Sequence, residues 1–103
     1  MMLVDKAEVK KYEFTGETKQ VELLLRTVIL HRIRAVTDFG MVKAGEVGGW
    51  IEKEENLSQE GKAWISDEAE VYGNAKISDN AQVADNAKVY DEAKVQSYAL
   101  VYG

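Results

Sequence analysis

From Ile65 onward the chain repeats every six residues, as ISDEAE, VYGNAK, ISDNAQ, VADNAK, VYDEAK, VQSYAL and then VYG. Ile or Val opens each unit (Ile65, Val71, Ile77, Val83, Val89, Val95, Val101), and Ala stands four places later (Ala69, Ala75, Ala81, Ala87, Ala93, Ala99). A period of six matches no amphipathic helix. A β-branched residue suits a short strand with its side chain turned inward. Strand alternation brings a second side chain inward near each corner, where only one as small as Ala fits. The Asp-Asn, Gly-Asn and Asp-Glu pairs in between are residues that tolerate tight turns. Six residues per side and three sides give about 18 per coil, with coils about 4.8 Å apart, the usual strand spacing. Asp67, Asp79, Asp85 and Asp91 recur at one repeat position, which makes them turn formers before they are acid/base groups.

Ahead of the repeat, KYEFTGET (11–18) and TVILHRIRAV (27–36) read as two strands of a β-hairpin-like cap. Turns are expected near Thr15-Gly16 and around 37–40. A looser rhythm follows at Val36, Val42, Ile51 and Leu57. The chain therefore divides into an N-terminal segment and cap (1–35), imperfect first coils (36–62) and the regular repeat (63–103), as one folding unit. Atypical terminal repeats are normal in such arrays. The first seven or eight residues are expected to be loosely ordered or a short helix. Gly48-Gly49-Trp50 is expected to be a tight turn feeding the first true coil, with a ligand loop as the alternative.

The repeat resembles the hexapeptide motif of left-handed β-helix acyltransferases and γ-type carbonic anhydrases, although their customary second-position Gly is absent. With KKYEFTGETK (10–19), LHRIRAV and DFG (30–40), VKAGEVGGWIE (42–52), NLS and GKAWISD (56–67), the chain resembles the YdcK-type bacterial and phage hexapeptide-repeat proteins, labelled putative transferases. The resemblance implies an all-β fold. The expected fold is a left-handed parallel β-helix, a three-sided hexapeptide-repeat solenoid, with a β-hairpin-like cap. The label follows fold, and fold does not give function.

The chemistry of the resembled enzymes is missing. Those acyltransferases use a histidine base and those anhydrases three histidines on zinc, whereas this chain has one histidine, His31, in the cap. Three-histidine zinc coordination within one chain is impossible, and with no cysteine there is no cysteine metal site or disulfide. No catalytic residue, metal or cofactor is assigned. His31 alternates with Ile29, Ile33 and Ala35, so a packed, inward-facing histidine is expected.

Coil geometry sorts the flanking residues by side. Side one carries Glu70 against Lys88 and Tyr72 against Tyr90. Side two carries Lys76 against Lys94. Side three carries Trp64, Ser66, Gln82, Ala84, Leu100 and Tyr102, with no charge among them in a chain that is 30% charged. An apolar face of that kind marks an interface, and Tyr98 in the last full repeat extends it. The alternative is intramolecular, with the cap folded over Trp64. A second candidate is a ligand face of Tyr72, Lys76, Tyr90 and Lys94, helped by His31, Arg32 and Arg34, for a small anionic, nucleotide-like ligand or degenerate acyltransferase chemistry. The expected function is a non-catalytic module that self-associates, as a dimer first and a trimer second, and binds a host or phage protein, for instance as a phage counter-defence inhibitor.

Net charge is −5, of which residues 63–103 carry −4 from 3 Lys and 7 Asp/Glu. That balance opposes direct nucleic-acid binding, which needs clustered Lys and Arg. The run VELLLRTVIL is too short and too charged to cross a bilayer, and MMLVDKAEVKK lacks a signal-peptide core. Cytoplasm, bacterial or that of an infected host, is expected.

Overall fold

The computed structural model describes residues 10–103. The first-residue expectation therefore falls outside the described part. The chain is all-β, with a single short 3-10 turn at Glu54–Asn56 among the described residues. Two long strands, β1 (Tyr12–Glu22) and β2 (Thr27–Ala35), pair antiparallel. Then come β3 (Val47–Ile51) and seven two-residue strands: β4 (Trp64–Ile65), β5 (Glu70–Val71), β6 (Lys76–Ile77), β7 (Gln82–Val83), β8 (Lys88–Val89), β9 (Lys94–Val95) and β10 (Leu100–Val101).

These short strands fall into three parallel ladders, none closed into a barrel. One runs β3-β5-β8 and continues into the hairpin as a five-stranded sheet, β1-β2-β3-β5-β8. The others are β4-β7-β10 and β6-β9. Every pairing within the repeat joins residues eighteen apart: Ile65 with Val83, Val83 with Val101, Val71 with Val89, Ile77 with Val95. The first tier is longer, since Ile51 pairs with Val71 and Leu57 with Ile77, each twenty apart. The two extra residues lie between Leu57 and Ile65, since the steps from Ile51 to Leu57 and from Ile65 to Val71 are each six residues.

The hexad positions divide as their chemistry requires. Ile65, Val71, Ile77 and Val83 are buried with Ala69, Ala75 and Ala81 in one core, which Val95 and Val101 flank. Two places after each anchor the backbone turns left-handed, with φ of 58° to 61° at Asp67, Asp79, Asp85, Asp91 and Ser97, and 68° at Gly73. Asp and Gly accept that conformation more readily than most residues. Two of the aspartates also bind the next tier: Asp67 Oδ2 accepts from the Asp85 amide at 3.1 Å, and Asp79 Oδ2 from the Ser97 amide at 2.9 Å.

Two expectations about the cap are corrected. Thr15-Gly16 is no hairpin turn. Pairing steps from Phe14–Ile33 to Thr18–His31, so a bulge with Gly16 at φ 99° sits inside β1, and the turn falls at Leu23–Arg26, closed by Leu23 N–H to Arg26 C=O at 2.7 Å. Gly48-Gly49 is no turn either but the middle of β3. Both residues are there because neighbours press on them: a Cβ on Gly48 would lie 2.5 Å from the Trp64 ring, and one on Gly49 2.7 Å from the Ala69 carbonyl oxygen.

The hairpin buries both of its faces, in different places. Ile33 and Ala35 join the main core, while Val28 and Leu30 form a second cluster with Trp50 and Tyr72. The inward parity of β2 thus switches near His31 and Arg32. Polar staples close the first tier. Fully buried Asn56 donates to Gly73 C=O (3.2 Å) and Ala75 C=O (2.9 Å) and accepts from the Glu52 and Lys53 amides. Buried Lys11 donates to Ala63 C=O at 2.9 Å, and the Tyr12 hydroxyl donates to Leu57 C=O.

Candidate functional site

The eighteen-residue register builds columns of side chains, and those columns decide which candidate residues meet. On the β5-β8 side, Tyr72 and Tyr90 stack with ring centroids 5.4 Å apart and planes 10° from parallel. Above them the hairpin turn projects, anchored by Arg26, whose guanidinium reaches both carboxylate oxygens of Glu52 at 3.0 and 3.4 Å. Glu52 in turn accepts from the Gly73 amide at 2.8 Å. The Arg26 bond, and less strongly the Gly73 amide, hold the Glu52 carboxyl below its usual pKa. Burial, and then the Glu70 charge, push the Tyr72 hydroxyl above its usual range. Between turn and tyrosines lies an open groove of about 720 Å³ lined by Leu23, Leu24, Leu25, Arg26, Tyr72, Gly73, Tyr90 and Asp91.

Beside the groove the hairpin is clamped by charge. Lys19 Nζ lies 2.7 Å from Glu70 Oε2 and 4.5 Å from the centre of the Trp50 ring. Arg32 covers that ring too, at 4.9 Å, and bonds Glu68 at 3.2 Å. Glu68 also accepts from Trp50 Nε1 at 3.1 Å, and that bond, followed by Arg32, lowers its pKa. Glu70 Oε1, buried and without a hydrogen bond, sits 3.8 Å from Lys88 Nζ.

The proposed ligand-face residues do not converge. Tyr72 and Tyr90 line the groove, but Lys76 and Lys94 pair on a different ladder. Arg34 is tied to Glu13 at 2.6 Å, and Arg32 to Glu68. His31 stacks flat on Phe14, with centroids 4.4 Å apart. Its expected inward neighbour Ile29 is 45% exposed, because the parity switch puts Val28 and Leu30 inward in that half of β2.

The side-three column forms in the expected register, Trp64 beside Gln82 beside Leu100. Trp64 itself is not an outward-facing surface residue. It is buried in the main core, with Phe39 edge-on against it at 5.4 Å, because the loop before β3 covers the first tier. Ser66, Gln82 and Ala84 are half-buried. Tyr98, Leu100 and Tyr102 are exposed at 79, 64 and 69%. The residues that sequence reasoning missed are Leu24 and Leu25, 96 and 92% exposed at the hairpin tip. Their signal was the unbroken LLL run, which fits no strand alternation.

Among the described residues, no group of three or more His, Cys, Asp or Glu side chains is gathered as a metal site. No described helix is long and apolar enough to cross a membrane. No family model matches the chain. It is 39% identical over 64 residues to the uncharacterized acetyltransferase YdcK of Escherichia coli (strain K12), an alignment that takes in 58% of this chain and 20% of that protein. The chain thus spans about a fifth of the length of the curated relative it matches.

Proposed function

We propose that this chain is a left-handed parallel β-helix with a hairpin arm, acting as a non-catalytic module that binds a second copy of itself and a protein partner. The division into arm and cap, imperfect first coils and regular repeat belongs to the same proposal. The eighteen-residue register of all three ladders supports the helix, as does the similarity to the E. coli protein. One observation carries the functional part: exposed apolar side chains collect on the last tier. Tyr90, Tyr98, Leu100 and Tyr102 all belong to it, and the exposed tip leucines line the same groove as Tyr90. Exposed apolar side chains gathered on one tier of an otherwise charged protein are what an interface draws on. Charge favours the same place, since residues 87–103 hold Lys88, Lys94, Asp91 and Glu92 and are neutral while the chain carries −5.

A symmetric dimer is the simplest assembly, with a trimer as competitor. The name of the E. coli relative favours a second reading, acyl transfer. That chemistry needs a general base, and the chain's one histidine, stacked on Phe14, is not among the groove-lining residues. Light scattering coupled to size-exclusion chromatography over a tenfold concentration range tests the first reading. A stable dimer or trimer, dissociated by Leu100→Asp with Tyr102→Asp, is the expected result. A monodisperse monomer at tens of micromolar rejects it.

A further inference from the structure

The charges around the groove do not cancel. Arg26 is held by Glu52 through two nitrogens, and Glu52 also accepts from the Gly73 amide. Glu70 pairs with Lys19 and Lys88, and Glu92 accepts from the Asn74 side chain at 2.9 Å. Asp91 on the groove wall is different. Among the described residues its carboxylate makes no ion pair and accepts no hydrogen bond, whereas Asp67 and Asp79, at the same repeat position, accept from backbone amides. Beside it Tyr90 stacks on buried Tyr72 and stays 48% exposed, so bare aromatic surface borders a carboxylate that has no counter-ion. Leu24 and Leu25 line the same groove from a turn closed by the Leu23 amide to the Arg26 carbonyl.

We propose that the groove binds an arginine side chain, flanked by an apolar residue, that a partner protein presents. This rests on the partner-binding half of the reading above and names the partner's chemistry. The guanidinium lies on Tyr90 and bonds Asp91, while the flanking apolar side chain covers Leu24 and Leu25. Arginine fits better than lysine, because its planar group stacks on rings and meets a carboxylate through two nitrogens. The chain already uses this chemistry within its own fold. Lys19 and Arg32 lie over the Trp50 ring at 4.5 and 4.9 Å, each also paired with a glutamate. A second copy does not supply the arginine, since the chain's three, Arg26, Arg32 and Arg34, are each held by a glutamate of the same chain. A net charge of −5 steers a basic partner toward the surface.

The probe is the tripeptide acetyl-Leu-Arg-Leu-amide, titrated into the full chain at millimolar concentration and low salt and followed by amide chemical shifts. Saturable shifts at Leu24, Leu25, Gly73 and Asp91 are expected. Affinity should fall several-fold when glutamine replaces the peptide's arginine, and again several-fold for Asp91→Asn. Asparagine tolerates the left-handed backbone found at Asp91 (φ 59°), and an unchanged melting temperature confirms that the variant folds. No saturable shift in the groove, or a glutamine peptide that binds as tightly, overturns the proposal. Acetyl-arginine-amide binding as tightly as the tripeptide assigns the groove to a free organic cation and overturns the partner segment. Light scattering keeps this result apart from self-association: a stable dimer that ignores the peptide loses only the groove assignment, and a monomer that binds it loses only the pairing.

Discussion

Gly49→Ala puts a single methyl group where β3 crosses the repeat, and the structure fixes what it must displace. The new Cβ would stand 2.6 Å from Ile65 Cγ2 and 2.7 Å from the Ala69 carbonyl oxygen. That carbonyl cannot simply move, because it accepts the Trp50 amide at 3.0 Å and belongs to the pairing of the first tier with the second. Overpacking of this kind costs about 1–3 kcal/mol, and stretching the Trp50 bond adds about 1 kcal/mol. The reduced freedom of the unfolded chain returns about 0.4–1 kcal/mol. The net loss is roughly 2–3 kcal/mol, and at about 4–8 °C per kcal/mol for a chain of this size the melting temperature should fall by roughly 10–20 °C. Gly45→Ala is the control: φ is 92° there and no atom lies within 4 Å of the added Cβ, so only the conformational cost of about 1–2 kcal/mol applies. Thermal melts followed by circular dichroism, with urea midpoints alongside, measure both. A Gly49→Ala protein melting within two or three degrees of wild type, or melting above Gly45→Ala, would refute the close approach.

The other predictions concern the polar staples and the arm. Asn56→Asp removes two donors and turns a carboxylate toward the Gly73 and Ala75 carbonyls in a fully buried site; a loss of about 3 kcal/mol in urea unfolding is expected. Burial lowers the Lys11 ammonium from 10.5 to about 8, so between those values the unfolded chain binds the extra proton and stability rises with pH. Burial, then Glu54 and Glu55, raise the Tyr12 hydroxyl, so stability is lost again above its ordinary pKa of 10.0, where the unfolded chain ionises first. Denaturation at a series of pH values should therefore show a rise of roughly 2–3 kcal/mol between pH 8 and 10 and then a reversal. Lys11→Met should flatten the rise. Glu52 and Glu68 have lowered pKa values in the fold, so their contribution is present above the ordinary 4.5 and lost as pH falls below it. Amide exchange in residues 19–30 should accelerate there before exchange in residues 65–90 does, and simultaneous acceleration would contradict an ionically clamped arm.

The repeat was legible because two residue types per hexad carry the whole pattern. A β-branched anchor and an alanine four places on leave only one inward arrangement, and the aspartates between them tolerate the left-handed corner found at φ near 60°. The stacking of Tyr72 on Tyr90 and of Lys76 beside Lys94 followed from the eighteen-residue register alone. Less was legible ahead of residue 63, where contacts between distant segments decide the outcome. TVILHRIRA looks like one alternating strand, yet it serves two cores with opposite parity, which left Ile29 exposed while His31 stays half-buried against Phe14. Trp64 sits at an outward repeat position, but Phe39, twenty-five residues earlier, covers it. Gly48 and Gly49 carry the usual signature of a turn; only the proximity of Trp64, Ile65 and Ala69 shows them to be spacers in a strand. The groove depends on where the hairpin turns, so placing that turn at Thr15-Gly16 hid Arg26 and the tip leucines from view.

Small-angle X-ray scattering tests the central claim, pairing through the exposed apolar tier, most directly. A single chain spans 50 × 27 × 24 Å with a radius of gyration of 13.8 Å. Two chains joined at that tier about a two-fold axis should give twice the single-chain mass and a maximum dimension well above 50 Å, up to about 100 Å if they lie end to end. Scattering that fits the single chain at tens of micromolar, with a maximum dimension near 50 Å, would contradict it.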